Sequence, residues 1–194
     1  MAERTNIPGI AVGLAVTQNG GDILFVEATA LPGGEGIRLR LTGQLGDVMR
    51  ESAEAALSWV RSHTEELGLA DSALSPGEIH LHIPAGAVPK DGPSAGIALV
   101  TAIVSALSNR NARPLLAMTG EISLRGQILP VGGIKSKLFA ASRAGINTVV
   151  LPKRNEKDLI EVPDEVKTEL DIKLVDTITD ALAITIPREA NTKG

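Results

Sequence analysis

The chain predicts a mixed α/β or α+β sandwich, and three observations carry that prediction. Apolar residues make up 43% of its 194 positions, enough to bury a sizeable core. Stretches of strict alternation, such as Ile37-Arg38-Leu39-Arg40-Leu41, describe strands with one wet face. Segments of helical spacing lie between them, and the two kinds of element alternate irregularly rather than in regular pairs.

The elements follow in order. Gly9–Val16 and Ile23–Ala30 read as strands joined by the turn Asn19-Gly20-Gly21-Asp22. A Pro-Gly-Gly-Glu-Gly loop at 32–36 leads into the alternating strand. Asp47–Leu67 reads as an amphipathic helix, with Val48, Ala55, Ala56, Trp59 and Leu67 at helical spacing. A loop at 71–77 precedes a strand over Glu78–Ile83. Ala95–Leu107 is apolar on nearly every face, so it predicts a helix buried all round. Leu115–Thr119 and Gly126–Val131 read as strands flanking a turn at 123–126. A helix from about Gly133 to Ala144 stops at Gly145, a good C-cap residue. Thr148–Leu151 reads as a short buried strand ended by Pro152. Short helices near 156–161 and 163–169, a strand near 173–175 and a last helix near 177–184 complete the reading. The polar tail at 187–194 is expected to fray.

Composition narrows the function classes. A net charge of −4 with interspersed signs offers no basic stripe for nucleic acid and no polybasic patch for a membrane surface. The absence of cysteine excludes a disulfide scaffold and thiol chemistry, and suits a reducing compartment. Residues 95–107 are too few to span a bilayer, and the charged start at 1–6 lacks the apolar region of a secretory signal. A soluble, intracellular domain is the expectation.

Three groups of residues can carry chemistry. In Pro89-Lys90-Asp91-Gly92-Pro93-Ser94-Ala95-Gly96, a hydroxyl sits where a turn feeds the buried helix, near the positive end of its dipole. Ser94 there is either a nucleophile or an ordinary helix cap. Lysine is absent from the first 89 residues, then Lys90, Lys135 and Lys137 appear beside glycine turns. Ile134, Lys137, Leu138 and Ala141 form one stripe by three- and four-residue spacing, so Lys137 points with the apolar face and Lys135 does not. Burial and the helix dipole both lower the pKa of such an amine and fit it for general-base work, although a lysine here also snorkels readily to solvent. His80 and His82 share one face of a strand and allow a metal pair, yet no further ligand completes a set, so no metal is expected. Gly132-Gly133-Ile134-Lys135-Ser136 has the flavour of a phosphate loop without its spacing.

Taken together, Pro89–Gly96, Thr119-Gly120-Glu121-Ile122-Ser123-Leu124-Arg125-Gly126 and Gly132-Gly133-Ile134-Lys135-Ser136-Lys137-Leu138 resemble the proteolytic domain of Lon, the ATP-dependent protease, in its bacterial and mitochondrial branch. The likeness runs from about Gly9 to Ile184. It implies the α+β, mixed-sheet fold of that family as a single compact domain over 9–186, with a flexible start at 1–8 of a kind that cloning adds. It implies a serine endopeptidase with Ser94 as nucleophile and Lys137 as catalytic lysine. Thr119 then matches the threonine that supports the amine, Asp91 the acid before the nucleophile turn, and His80 and His82 the family's strand histidines. Gly92, Pro93 and Ala95 are the turn and oxyanion candidates. Ala85 stands where many relatives carry an acid.

The resemblance also sets expectations about partners. No cofactor is expected in this chain, because ATP and Mg2+ belong to an AAA+ ATPase module that these 194 residues lack. Unfolded or damaged polypeptides are the implied substrates, threaded into a homo-hexamer of the full-length protein, with no membrane or nucleic-acid partner for this domain. The implied compartment is the cytoplasm, or the mitochondrial matrix in a eukaryote. Rival expectations are a catalytically silent scaffold, a phosphate-transferring enzyme, and a protease domain held in an inactive arrangement.

Overall fold

The structure is a computed structural model and describes residues 5–70, 75, 77–84 and 90–188. Pro89, Ala85, most of the 71–77 loop and the end of the tail lie outside the described residues. Seven strands form one mixed sheet in the order β3-β4-β2-β1-β5-β8-β9. β1 (Ile10–Thr17) and β2 (Gly20–Pro32) make an antiparallel hairpin with Thr17 opposite Gly20. β4 (Gly77–His82) runs antiparallel to β2, and the edge strand β3 (Ile37–Thr42) runs parallel to β4. On the other side, β5 (Leu116–Met118) is parallel to β1, and β8 (Thr148–Pro152) and β9 (Asp171–Val175) continue in parallel. A separate ribbon pairs β6 (Glu121–Ile122) with β7 (Ile128–Leu129).

Helices cover both faces of the sheet. α1 (Asp47–Ser62), α2 (Gly96–Ser108) and α5 (Ile178–Thr185) share one core with Leu24, Val26, Ile79, Leu81 and Met118. α3 (Ile134–Arg143) builds the opposite core with Val12, Leu14, Ala117, Val149 and Leu151. Strands covered on both sides read as continuous apolar runs, which is why β8 is buried at all five positions. A 3-10 segment (Lys153–Glu161) and α4 (Asp164–Glu169) pack outside α3, with Val162, Val166 and Leu170 closing that core. α2 is buried from Gly96 through Ser105 because it lies between the sheet and α1. Truncating Leu99, fully buried there, to alanine should cost about 2–5 kcal/mol.

The α+β fold is as expected, and the differences are local. α1 stops at Ser62, where the chain turns through His63–Gly68, so Leu67 packs from a turn and not from the helix. Its buried stripe is Met49, Ala53, Ala56, Leu57 and Val60 with Trp59, whereas Val48 is exposed. The supposed turn Asn19–Asp22 is shorter: Gln18 and Asn19 alone make it, and Gly20 and Gly21 are already ladder residues. The strand after the 123–126 turn pairs with Glu121–Ile122, not with 115–119, because β5 is claimed by the main sheet.

Candidate active site

Ser94, Thr119 and Lys137 are linked where β5 ends. β5 lies between β1 and β8, and the ladder continues one step as Thr119 N–H donates to the Val150 carbonyl at 3.1 Å. Its alternation turns the buried Thr119 side chain toward the α3 face, as for Ala117. There the Lys137 amine donates to Thr119 Oγ1 at 3.0 Å. The threonine hydroxyl in turn donates to the Ser94 carbonyl at 3.3 Å, and Gly120 N–H donates to the same oxygen at 2.9 Å. One residue thus ties α3 to the turn that carries Ser94. With its single proton committed to Ser94, Thr119 can only accept from Lys137.

Lys137 is 2% exposed, in the first turn of α3 and on the stripe with Ile134, Leu138 and Ala141. Lys135, two residues earlier, is exposed. Burial disfavours the ammonium and lowers the amine from its ordinary 10.5 to about 8. Among the described residues, Thr119 is the amine's hydrogen-bond partner and no carboxylate pairs with it. A neutral amine donating one N–H to Thr119 keeps its lone pair for another proton.

Ser94 occupies a turn immediately before α2, whose N-cap is Ala95 and carries no side-chain cap. Ser94 is half-buried, and among the described residues its hydroxyl meets no partner, so the cap role is unfilled. Gly92 takes φ +108, a left-handed conformation that glycine adopts without a Cβ clash. Its N–H is already donated to Asp91 Oδ1 at 2.8 Å, and Pro93 has no N–H to give. The N–H groups of Ser94 and Ala95 meet no acceptor among the described residues, which leaves them free for an oxyanion.

Asp91 works behind the turn. Its Oδ1 also accepts from Met49 N–H at 3.0 Å, so it caps α1 from a distant part of the chain. The N–H groups of Gly92 and then Met49 hold its carboxyl below the usual carboxylate range. Lys90, absent from the expected site, is buried and donates through Nζ to the Gly43 carbonyl at 2.9 Å, while its backbone exchanges bonds with Gln44 and Gly46. Residues 43–46 are therefore a strap that holds the approach to Ser94. At Gly46, φ is an ordinary −73°, but a Cβ would stand 2.2 Å from Asp91 Cγ.

His80 and His82 meet at Thr42, and among the described residues neither bonds Ser94. Thr42 Oγ1 lies 2.8 Å from His80 Nε2 and 2.7 Å from His82 Nδ1. One hydroxyl proton serves only one of these nitrogens, so at least one imidazole donates to Thr42. Thr42 precedes Gly43, and the pair thereby braces the strap from the α3 face of the sheet. Gly43, Gly46 and Gly120 were not legible as site residues. A glycine serving a close approach looks, in sequence, like any turn glycine.

A family model described as the Lon protease (S16) C-terminal proteolytic domain matches residues 1–188. The chain is 56% identical over 185 residues to Lon protease of Salinispora arenicola, covering 95% of this chain and 24% of that protein. It is 54% identical over 187 residues to Lon protease of Syntrophus aciditrophicus, covering 96% of this chain and 23% of that protein. Lon protease of Anaeromyxobacter dehalogenans is 58% identical over 170 residues, with 88% of this chain and 20% of that protein covered. The chain spans about a quarter of the length of the curated relatives it matches.

Proposed function

The chain belongs to the Lon protease (S16) C-terminal proteolytic domain family, and from that premise we propose that it is a peptidase working through a Ser94–Lys137 dyad. The reading rests above all on one observation, the buried Lys137 amine bonded to a threonine that is itself bonded to the Ser94 backbone. In its neutral form Lys137 takes the Ser94 proton as Ser94 Oγ attacks the scissile carbonyl. The oxyanion that forms is met by the N–H groups of Ser94 and Ala95 at the positive end of α2. The lysine ammonium returns its proton to the leaving amine, and an acyl group remains on Ser94 Oγ. A water then attacks this ester, giving its proton to Lys137, and the serine is restored. Thr119 steadies the amine through both charge states. Asp91, with the strap braced by His80 and His82, keeps the turn in register.

The substrate in this reading is an extended stretch of unfolded or damaged polypeptide, lying as an added strand beside the turn. ATP, Mg2+, threading and a hexameric ring belong to an AAA+ module of a longer protein, which works in the cytoplasm or, in a eukaryote, the mitochondrial matrix. The chain itself needs no cofactor and takes neither membrane nor nucleic acid as partner. Hydrolysis of a fluorogenic peptide by the chain, abolished by Ser94→Ala and by Lys137→Ala, is the expected result. Equal rates in all three would end the dyad proposal. The Ser94 hydroxyl, which has no partner among the described residues, favours a second reading, a resting arrangement in which substrate completes the Ser94–Lys137 contact. A peptide boronate that labels Ser94 only slowly, and faster after a strand-forming peptide is added, is the mark of that state.

A further inference from the structure

We infer that Gly21, on the β1–β2 hairpin, is a positioning residue for the Lys137 amine: because it has no side chain, the hairpin seats directly on the first turn of α3 and keeps that amine in its buried place. The inference rests on the reading of Lys137 as the base. Gly21 has an ordinary backbone conformation, with no positive φ, so conformation does not require glycine there. Space does. A Cβ at Gly21 would stand 2.0 Å from the Ser136 carbonyl oxygen, 2.5 Å from its carbon and 3.1 Å from Lys137 N. All three are backbone atoms that cannot rotate aside. Gly20 next to it is the reverse case, with φ +107 and nothing within 4 Å of a Cβ. The two adjacent glycines answer different needs.

The hairpin grips α3 at two further heights. Gly133, the left-handed N-cap of α3, abuts Val16 Cγ2. In the last turn, the Arg143 guanidinium donates to the Gly21 carbonyl at 2.7 Å. A side chain at Gly21 must therefore lift the first turn of α3, which carries Lys137, or unseat the hairpin. Either movement admits water to the amine, and water favours its charged form. Electrostatic partners do not obscure this effect. β1 carries no titratable side chain, and β2 brings only Asp22 and Glu27 to this part of the fold. On the outer elements Lys153 pairs with Asp176, Lys167 with Asp164, Asp158 bonds Asn155 and Glu169 bonds Ser142. Within α3 itself, Lys135 is exposed and Arg143 is engaged by Gly21.

The test is a lysine titration that does not depend on turnover. The chain is labelled with 13Cε-lysine, the Lys137 resonance is assigned with Lys137→Arg, and its midpoint is followed by NMR. Gly21→Ala is expected to raise the midpoint by about one pH unit. Arg143→Ala removes one tie without creating a clash, and in a fully folded protein is expected to raise the midpoint by about 0.3 unit even at about 1 M salt, where loss of the Arg143 charge alone is screened. Gly20→Ala, strained but facing open space, leaves it unchanged. A folded Gly21→Ala with the wild-type midpoint overturns the proposal, and if that variant does not fold, an unchanged midpoint in Arg143→Ala does so. Peptide hydrolysis by Lys137→Ala at the wild-type rate sinks the dyad reading instead, and leaves the titration to decide what Gly21 holds.

Discussion

The two halves of the site are built differently. On the α3 side everything is fixed: Lys137 is buried, its amine is held by Thr119, and the helix beneath it is gripped by the β1–β2 hairpin. On the α2 side only the backbone is fixed. The Ser94 carbonyl is pinned by Gly120 and Thr119, and Lys90 and Asp91 are lashed to residues 43–46 and α1, yet among the described residues the Ser94 hydroxyl has no partner. The proposed dyad chemistry accounts for the asymmetry. A lysine works as a base near neutral pH only while it is kept dry, so its environment must exist before substrate arrives. A serine needs no burial to be useful and must remain open to the peptide it attacks.

Removing the open half should have the largest effect. Ser94→Ala deletes the proposed attacking oxygen, and peptide hydrolysis is expected to fall about 10⁴-fold or more, toward the background left by binding and the oxyanion donors. Its fold should be untouched, since the hydroxyl bonds nothing among the described residues. The dry half should behave in the opposite way. Lys137→Met is expected to lose about 10²–10⁴ in rate yet gain stability. The sign follows from the lowered pKa. Between about 8 and 10.5 the unfolded chain binds a proton that the folded one does not, so stability rises with pH across that window. Below it, the folded protein carries a charging penalty of about 3 kcal/mol, reduced by whatever the Thr119 bond returns. Urea midpoints at pH 7 should therefore rise in Lys137→Met, by an amount that shrinks as pH rises from about 8 and vanishes only above about 10.5.

Thr119→Val cuts the link between the halves, and it should cost about tenfold in rate. An acceptor on an ammonium favours the charged form, so its loss moves the Lys137 midpoint further down. The pH–rate profile should shift to lower pH with a lower plateau. This is opposite to the upward shift expected from Gly21→Ala. A profile that moves upward in Thr119→Val would mean that the threonine excludes water rather than binding the amine.

Legibility in the sequence follows the same division. The buried helix at 96–108, the strand at 148–152 and the outward or inward choice between Lys135 and Lys137 were readable, because each depends on local apolar spacing that the tertiary fold then uses unchanged. The end of α1 was not, since the turn at 63–68 keeps placing apolar residues against the core after the helix has stopped. Nor was the strap legible. Asp91 capping a helix more than forty residues earlier, and Lys90 buried against Gly43, arise from packing between segments with no shared pattern. The Thr42 bridge between His80 and His82 is of this kind too. Spacing puts the imidazoles on one face, and only the neighbouring strand supplies the hydroxyl between them.

The smallest expected effect tests whether the strap matters to the open half at all. Gly46→Ala keeps a backbone conformation that alanine tolerates, but its methyl would occupy the place of the Asp91 carboxylate. Asp91 can swing away, and in doing so it gives up the N–H groups of Met49 and Gly92. The Ser94 turn loses its anchor while Lys137 is untouched. Peptide hydrolysis should fall severalfold, and Asp91→Asn should cost less in the Gly46→Ala background than alone, because the two changes break one contact. The pH dependence separates this from changes on the α3 side. Asp91 has a lowered pKa, so the order it supports is complete above the usual carboxylate range and is lost only as pH falls through its folded value. From pH 6 to 10 it stays ionised, and the Gly46→Ala defect should be a constant factor with an unmoved midpoint. A midpoint that moves with Gly46→Ala would mean that the strap reaches Lys137, and the two halves would then be one unit.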